Sequence, residues 1–370
     1  MKAPLDLKNH RLVICLGPGG VGKTTISAAL ALYGAMAGRS VDVMTVDPAP
    51  RLLDALGLDA ASAEPQPVPL EGIIDDNARS GSHARLRALK LDPKATFDSI
   101  VTRYAPSNAA RDSILKNRIY RNLSAALSGV GDYMAMEKLL ELYSAPGADL
   151  IVLDTPPASE AIDFLDAPRR LLDLLNSRAI TLLGLSSGRL LRGLKVVDLA
   201  ARAVLSAFDK FTGLNLLTDV QGFVESFEGM YSGFAERARR AGALLRSSES
   251  IIVIVTTAEA ARIAQAREFA IALEAAGLRV DTIVVNRMMP QIPDSAELRD
   301  AKVSVALKRK LTRNLKDFQA LKERETRALK ELRTGLSPKL RMLAAPDLGR
   351  EPRSLADLAE LANNLEIIRD

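Results

Sequence analysis

The sequence predicts an α/β fold, in which a doubly wound, mainly parallel sheet carries an inserted α-helical subdomain. Short apolar runs alternate with helical stretches, as in parallel sheets covered by helices on both faces. A glycine-rich loop joins the first run to a helix, and a long stretch between two later runs has helical apolar stripes without a strand pattern. We therefore predict a sheet domain from residues 1–167 and 248–370, with residues 168–247 as the helical insert.

Each predicted strand is an apolar run that ends at a polar residue, a proline or a glycine. In chain order the strands are 12–16, 41–46, 87–91, 149–153, 251–255, 280–285 and 340–344. Residues 94–145 and 354–365 predict helices. Residues 62–84 are rich in Pro, Ser, Gly and charge and predict an exposed connection. Residues 294–335 carry both signs of charge densely, which predicts a solvated helix pair rather than a nucleic-acid contact.

Composition narrows the class of protein. The 370 residues have a net charge of +5, with basic and acidic residues interspersed, few aromatics and no Trp, so we expect no nucleic-acid partner. Cys15 is the single cysteine and is predicted to be a small core residue. One cysteine excludes an internal disulfide and a C-x-x-C metal site, so we expect no zinc. The first residues lack the apolar core of a signal peptide, and no apolar run could span a bilayer, which predicts a cytoplasmic protein.

A phosphate-binding loop follows the first strand. The sequence GPGGVGKT fits the pattern G-x-x-x-x-G-K-[ST] between a strand and a helix, as in P-loop NTPases. Its glycines let main-chain N–H groups approach phosphate oxygens, and the helix directs its positive end at the same anion. Lys23 can reach the β- and γ-phosphates, and the Thr24 hydroxyl can ligate Mg²⁺. The predicted nucleotide-binding residues here are Gly17, Pro18, Gly19, Gly20, Val21, Gly22, Lys23, Thr24 and Thr25.

Two aspartates stand at the carboxyl ends of later strands, where ligands bind in open α/β sheets. Asp154 follows an apolar strand and is predicted to hold Mg²⁺ through a water, since Mg²⁺ keeps much of its hydration shell. Asp47 is predicted to orient or deprotonate the attacking water. Together with Lys23 it is our catalytic prediction, and Thr24, Asp47 and Asp154 are the predicted metal ligands. The alternative is that each aspartate only caps the helix that follows its strand.

The motifs GPGGVGKTT, TVDPAPRLLDALG, SGVGDYMAMEKLLEL, DLIVLDTPPASEAIDFLDAP and VVNRMMP resemble the arsenical-pump ATPase family, which includes the ATPase that guides tail-anchored membrane proteins. The resemblance runs in the same order over nearly the whole chain. It implies ATP hydrolysis by a dimer that opens and closes. It also implies that Asn286 and Arg287 contact the adenine, that the loop at Pro346 and Asp347 lines the base, and that the insert forms a client groove.

The chain departs from the family's pattern at several positions. Pro18 stands where the family usually has a lysine that reaches the partner's phosphates, and Pro50 stands where it has a histidine. Ala158-Ser159-Glu160 replaces the usual T-G-H, and the paired zinc-binding cysteines are absent. We hypothesise that Arg51, or a lysine of a related partner subunit, supplies the missing cation. The alternative is that Arg51 is a solvated residue without a role in the reaction.

These features predict a Mg²⁺-dependent ATPase whose dimer state, as a homodimer or a heterodimer, is coupled to an unidentified client or partner. The alternative is a nucleotide-gated scaffold or regulatory subunit that binds ATP but hydrolyses it poorly. GTP switching would need an [NT]-K-x-D motif after a strand, and the sequence has none.

The insert has two interpretations. One is a groove for a hydrophobic client helix or a membrane-associated protein. The other is a self-packed helical cap and dimer interface, which the low methionine content favours because promiscuous grooves are rich in Met. Both interpretations rest on the apolar residues of the insert, which are Leu185, Leu190, Leu191, Leu194, Val197, Leu199, Val204, Leu205, Phe208 and Phe211.

Overall fold

A single sheet organises the fold. The computed structural model describes residues 7, 9–58, 64–73, 85–117, 120, 128–176, 229–290, 292 and 303–368. Within them, the strands are β1 (Leu12–Leu16), β2 (Ser40–Thr45), β3 (Gln66–Pro67), β4 (Arg85–Lys90), β5 (Leu150–Asp154), β6 (Ser250–Thr257), β7 (Val280–Met288), β8 (Arg341–Pro346) and β9 (Glu366–Ile367). Their order is β3-β4-β2-β5-β1-β6-β7-β8-β9, and only the edge strands β3 and β9 run antiparallel to their neighbours.

The described residues also form helices. They are α1 (Lys23–Met36), α2 (Arg51–Ala55), α3 (Pro93–Tyr104), α4 (Asn108–Lys116), α5 (Ser128–Ser144), α6 (Ala158–Leu165), α7 (Ala167–Leu175), α8 (Tyr231–Leu245), α9 (Ala260–Ala275), α10 (Val305–Arg333) and α11 (Leu355–Asn363). The five residues of β1 and the eight of β6 are all buried. Strands buried on both faces read as continuous apolar runs, which is why their positions are evident from the sequence.

The predicted fold class is confirmed, and so are the seven predicted strands, within a few residues at each end. The interpretation of residues 62–84 as connection only is wrong, because β3 lies inside them and pairs with β4. The second edge strand, β9, has no sequence prediction. Of the predicted helix pair at 294–335, the structure describes one continuous helix, α10. Residues 293–302 lie outside the described part.

The chain divides into two compact units. The first comprises Met1–Lys90, Pro146–Ile162 and Arg246–Asp370, and it contains the whole sheet. Its core joins β1 to α1 and α11, for example through Val13, Leu30 and Leu361. Asp47 and Asp154 lie at the carboxyl ends of two of its parallel strands, β2 and β5.

The second unit is helical and comprises Leu91–Ala145 and Asp163–Leu245. Its core includes Phe97, whose ring lies 4.9 Å from that of Tyr120 and 6.0 Å from that of Phe234, measured between centroids. A buried ion pair joins Arg237 Nε to Glu137 Oε2 at 2.9 Å. The predicted apolar stripes of the insert, from Leu185 to Phe211, lie outside the described residues, so the boundary at 168–247 stays a prediction.

Candidate functional site

Three glycines shape the loop between β1 and α1. Gly17, Gly20 and Gly22 have φ angles of 151°, 79° and 89°, a backbone conformation that residues with a side chain rarely adopt. A Cβ on Gly17 would overlap the Val255 carbonyl oxygen. A Cβ on Gly22 would overlap the side-chain amide of Asn286. The loop is therefore held close to the ends of β6 and β7, and only glycine fits at both points of approach.

Lys23 is the first residue of α1 and points back over the loop. Its Nζ donates a hydrogen bond of 3.1 Å to the Pro18 carbonyl oxygen, so the ammonium group lies across the turn formed by the glycines. Burial lowers the pKa of Lys23, and the negative charges of Asp154 and Asp47 oppose that shift. A cation in such a partly desolvated loop is suited to an anionic ligand, whose charge would offset the cost of burial.

Asp154 is fully buried and accepts three side-chain hydrogen bonds from hydroxyl groups. The Thr24 and Thr45 hydroxyls each donate to Oδ2 at 2.9 Å, and the Ser27 hydroxyl donates to Oδ1 at 3.2 Å. Burial raises the pKa of the Asp154 carboxyl, whereas these three donors and Lys23 lower it. Its oxygens are thus fixed in place beside the first turn of α1.

Asp47 lies after β2 in a short turn. Its Oδ1 accepts a hydrogen bond of 2.9 Å from Ala49 N, and its Oδ2 lies 3.4 Å from a guanidinium nitrogen of Arg51. The Asp47 main-chain N–H donates to the Thr45 hydroxyl oxygen at 3.2 Å. Asp47 therefore keeps a partly exposed carboxylate at the edge of the sheet, whereas Asp154 is enclosed.

Asn286 and Arg287 lie near the carboxyl end of β7, where Asn286 is buried and Arg287 is exposed. The Asn286 amide donates to the Val21 carbonyl oxygen at 2.8 Å, and its Oδ1 accepts from Arg287 N at 2.9 Å. Among the described residues, Arg287 is the one non-glycine with a positive φ, 58°. Asn286 thus ties β7 to the phosphate-binding loop, and the unusual backbone of Arg287 turns the chain at that point.

Pro346 and Asp347 stand at the end of β8, beside β7. Pro346 is in register with Met288, and Asp347 N donates to the Met288 carbonyl oxygen at 2.8 Å. The Asp347 carboxylate accepts from Gly349 N at 2.9 Å and closes a tight turn. The loop that follows reaches the candidate site through Glu351 and Arg353.

An open cavity of about 610 Å³ lies over the loop. Of the residues predicted from the sequence, it is lined by Gly19, Gly20, Gly22, Lys23, Thr24, Thr25, Asp47 and Arg287. Arg51, Thr155, Glu351 and Arg353 also line it. The other predicted residues support the loop from behind or, like Pro346 and Asp347, border the turn beside it. Pro18 lines a separate cavity of about 430 Å³ together with Gly19.

Two hydroxyl groups at Asp154 were not predicted. Ser27 is three residues after Thr24 and so shares its helix face, and Thr45 is in register with Asp154 between β2 and β5. Both residues could be recognised from the sequence, but only once the helix face of α1 and the pairing register of β2 with β5 are known. Glu351 and Arg353 have no such signal, because they lie in a loop.

Cys15 behaves as predicted for a core residue: it is fully buried, and burial raises the pKa of its thiol to about 12. The described residues contain no group of three or more His, Cys, Asp and Glu side chains arranged to hold a metal ion. A cation at Asp154 would therefore need further oxygen ligands, such as the Thr24 hydroxyl, phosphate or water. None of the described helices combines the length and apolar character required to cross a membrane.

Comparisons with known proteins point to ATPases, in agreement with the phosphate-binding loop between β1 and α1. A family model described as "Anion-transporting ATPase" matches residues 10–337. The chain is 26% identical over 164 residues to the ATPase GET3 of Malassezia globosa, covering 44% of each chain. It is 27% identical over 168 residues to the ATPase GET3 of Chaetomium globosum, covering 45% of this chain and 46% of the relative. It is also 27% identical over 285 residues to an uncharacterized protein of Streptomyces coelicolor, covering 76% and 63%. The matches to the GET3 proteins thus span about half the length of those relatives.

Proposed function

Because the chain belongs to the anion-transporting ATPase family, we propose that it binds ATP with Mg²⁺ and hydrolyses the ATP to ADP and phosphate. The observation that carries this proposal is the meeting of the Thr24 hydroxyl with the buried Asp154 carboxylate at 2.9 Å, beside Lys23. A cation ligand, a carboxylate and an ammonium group are the parts that a phosphoryl-transfer site of this class requires.

The residues at Asp154 fit a magnesium ion. Mg²⁺ prefers oxygen ligands, keeps several waters, and is usually held by one or two carboxylates together with substrate phosphates. Thr24 would ligate it directly, and Asp154 would hold it through a water because its carboxylate already accepts three hydrogen bonds from hydroxyl groups. When bound, the ion would neutralise negative charge that builds up on the phosphates. Asp47 is a third candidate ligand at the open side of the cavity.

The protein's own groups would position the triphosphate and the water. The main-chain N–H groups of the loop would bind phosphate oxygens, and Lys23 would leave the Pro18 carbonyl to contact the β- and γ-phosphates. Asp47 would accept a hydrogen bond from the attacking water, since its carboxylate lines the cavity and retains acceptor capacity beyond Ala49 and Arg51.

The adenine would lie toward β7 and β8. Asn286 uses one amide hydrogen and one lone pair in the structure, which leaves one of each for a base. Arg287 lines the cavity, and the turn at Pro346 and Asp347 leads into the loop that borders it. These residues would set the choice of nucleotide, while Gly17–Thr25 would hold its phosphates.

We propose that nucleotide binding is coupled to a dimer, either of two copies or with a related subunit. Residues 1–167 and 248–370 would form the ATPase domain, and residues 168–247 would carry the client or dimer surface. The name of the relatives, ATPase GET3, supports the ATPase part of this proposal. A cytoplasmic location belongs to the same proposal.

A scaffold that binds ATP but hydrolyses it slowly is the second candidate. It is favoured by the absence of a cationic side chain at positions 18 and 50, where proline stands at both. The two candidates differ in one measurable quantity, because a scaffold retains Mg²⁺-dependent ATP binding while releasing little phosphate.

The proposal is tested by calorimetric ATP binding and by phosphate release, with Mg²⁺ and with a chelator, on the purified chain and on Lys23→Ala. We expect Lys23→Ala to weaken ATP binding by at least about tenfold, because a charge-assisted contact is lost. Lys94→Ala is the matched control, since Lys94 is exposed and pairs with Asp98 in the helical unit. A wild-type chain that binds no ATP, or binds it equally well after Lys23→Ala, would refute the proposal.

A further inference from the structure

Helix α10 carries an apolar stripe that is buried near one end of the helix and exposed to solvent near the other. Near its C-terminus the stripe is buried in the sheet unit, where Glu325, Ala328 and Leu332 are at most 9% exposed. Glu325 accepts a hydrogen bond from Met289 N at 3.0 Å, and the Lys322 ammonium donates to the Met289 carbonyl at 2.9 Å. The last turns are therefore fixed to the unit by both apolar and polar contacts.

The same stripe continues into solvent toward the N-terminus of α10. Leu307, Leu311, Phe318 and Leu321 are 45%, 36%, 50% and 45% exposed. At 3.6 residues per turn, these four side chains fall within a sector of about 80°. From residue 305 to 321 the helix is about 25 Å long. Large exposed apolar side chains that share one face are a contact surface, unlike apolar residues scattered singly.

The opposite face of this segment is basic. Residues 305–324 contain seven Lys and Arg against two acidic residues. Arg309, Arg313 and Lys316 lie about 120° to 180° around the helix from the centre of the apolar stripe. In the part of the chain that the structure describes, no ion pair reaches these three side chains or Lys310. The segment is thus a basic amphipathic helix, and four of its basic side chains form no ion pair with another described residue.

We propose that this segment, residues 305–324 of α10, binds the surface of an anionic lipid bilayer. Helices with Leu and Phe on one face and Lys and Arg on the other lie in the interface between headgroups and acyl chains, with the apolar face inward. Leu307, Leu311, Phe318 and Leu321 would enter the bilayer. The basic residues would be attracted by anionic headgroups within a Debye length of the surface.

Charge decides between this partner and a second copy of the chain. Pairing two such segments along their stripes would bring two strongly basic helices together, which like-charge repulsion opposes. An anionic bilayer instead offers negative charge and an apolar layer in one surface. This inference does not depend on the proposed function, because it uses none of the residues of the nucleotide site.

The absence of Trp from the sequence gives a direct test. Phe318→Trp places a single indole on the stripe, and its emission should shift to shorter wavelength with vesicles containing phosphatidylglycerol but not with phosphatidylcholine alone. High salt should reverse the shift. Ile271→Trp is the matched control, because Ile271 is 48% exposed on α9 of the same unit, and its emission should not move.

Sedimentation with the same vesicles separates the two contributions. Leu311→Ser with Phe318→Ser should weaken binding by at least about tenfold through lost apolar burial, whereas Ile271→Ser should not. Arg313→Gln with Lys316→Gln should weaken binding to anionic vesicles. Arg169→Gln with Arg239→Gln removes the same charge from surface pairs of the helical unit and should not.

Other outcomes would overturn the proposal. These are equal binding to both kinds of vesicle, no binding to either, or tighter binding to a DNA duplex than to anionic vesicles. Light scattering provides the last check. If Leu311→Ser with Phe318→Ser converts a dimer to a monomer and vesicle binding is absent, the stripe is a self-association surface instead.

Discussion

Thr45 and Asp154 are joined by a hydrogen bond of 2.9 Å across the neighbouring strands β2 and β5. The same hydroxyl accepts a hydrogen bond from Asp47 N at 3.2 Å. One side chain thus connects a buried carboxylate with the main chain that carries a more exposed one. Thr45 therefore links the two aspartates through one hydroxyl group.

Thr45→Val should destabilise the fold and slow ATP hydrolysis. Valine keeps the shape of threonine but removes the hydroxyl, so the buried Asp154 loses a donor and Asp47 N loses its acceptor. We expect the free energy of unfolding to fall by about 1–3 kcal/mol. Denaturant unfolding and phosphate release measure the two effects. The control is Thr96→Val in the helical unit, where the lost hydroxyl bonds only its own helix and turnover should be unchanged.

Gly22→Ala should impair the phosphate-binding loop. The φ of Gly22 is 89°, and the new methyl group would overlap the Asn286 amide. We expect a cost of about 1–3 kcal/mol in unfolding free energy and weaker ATP binding. Gly19→Ala is the control in the same loop, because its φ is not positive and a Cβ there meets no atom within 4 Å. Equal behaviour of the two variants would contradict the account of the loop.

Arg51→Ala tests the hypothesis that Arg51 supplies a cation to the reaction. Its side chain is 73% exposed, and its pair with Asp47 spans 3.4 Å, so we expect unfolding free energy to change by less than about 1 kcal/mol. If the guanidinium stabilises charge on the transferred phosphoryl group, turnover should fall at least about tenfold. Arg51→Lys should restore part of it. Unchanged turnover would remove Arg51 from the mechanism.

Asp357 gives a prediction for pH. Hydrogen bonds from Arg350, Arg353 N and Ser354 lower the pKa of Asp357 from its ordinary 3.8 to about 2. Because the pKa is depressed in the folded state, the carboxylate stabilises the fold fully above about pH 4 and loses that contribution as pH falls toward 2. Ser354 in turn caps α11 by accepting from Asp357 N.

Asp357→Asn should therefore lower the midpoint of thermal unfolding at neutral pH, and the difference from wild type should shrink between pH 4 and pH 2. Asp317→Asn serves as the control, since no ion pair reaches exposed Asp317 among the described residues. A difference that stays constant over this range would show that the Asp357 charge does not stabilise the fold.

Much of the fold follows from the sequence because the central strands are buried on both faces. The runs Leu12–Leu16 in β1 and Ile251–Val255 in β6 contain no polar residue, and they end at a glycine and a threonine. The edge strands were missed for the opposite reason. Gln66–Pro67 and Glu366–Ile367 have two residues each and take their conformation from a neighbouring strand, so no local pattern reveals them.

In the candidate site too, residues with a local sequence pattern were predicted and residues placed by tertiary contacts were not. Lys23, Thr24, Asp47 and Asp154 are predictable because each occupies a fixed place relative to a strand end. Ser27 and Thr45 were missed because their role appears only when β2 is set beside β5 and one face of α1 beside both. The exposed stripe of α10 was also hidden, since an apolar residue between charges looks the same in sequence whether it is buried or in solvent.

Thr24 has one hydroxyl hydrogen, which it donates in a hydrogen bond to Asp154 Oδ2. The oxygen's lone pairs are consequently left on the side away from the carboxylate. In the proposed site those lone pairs would face a magnesium ion while the hydrogen bond to Asp154 stays in place. The protein itself would thus orient the Thr24 hydroxyl for its metal before any nucleotide binds.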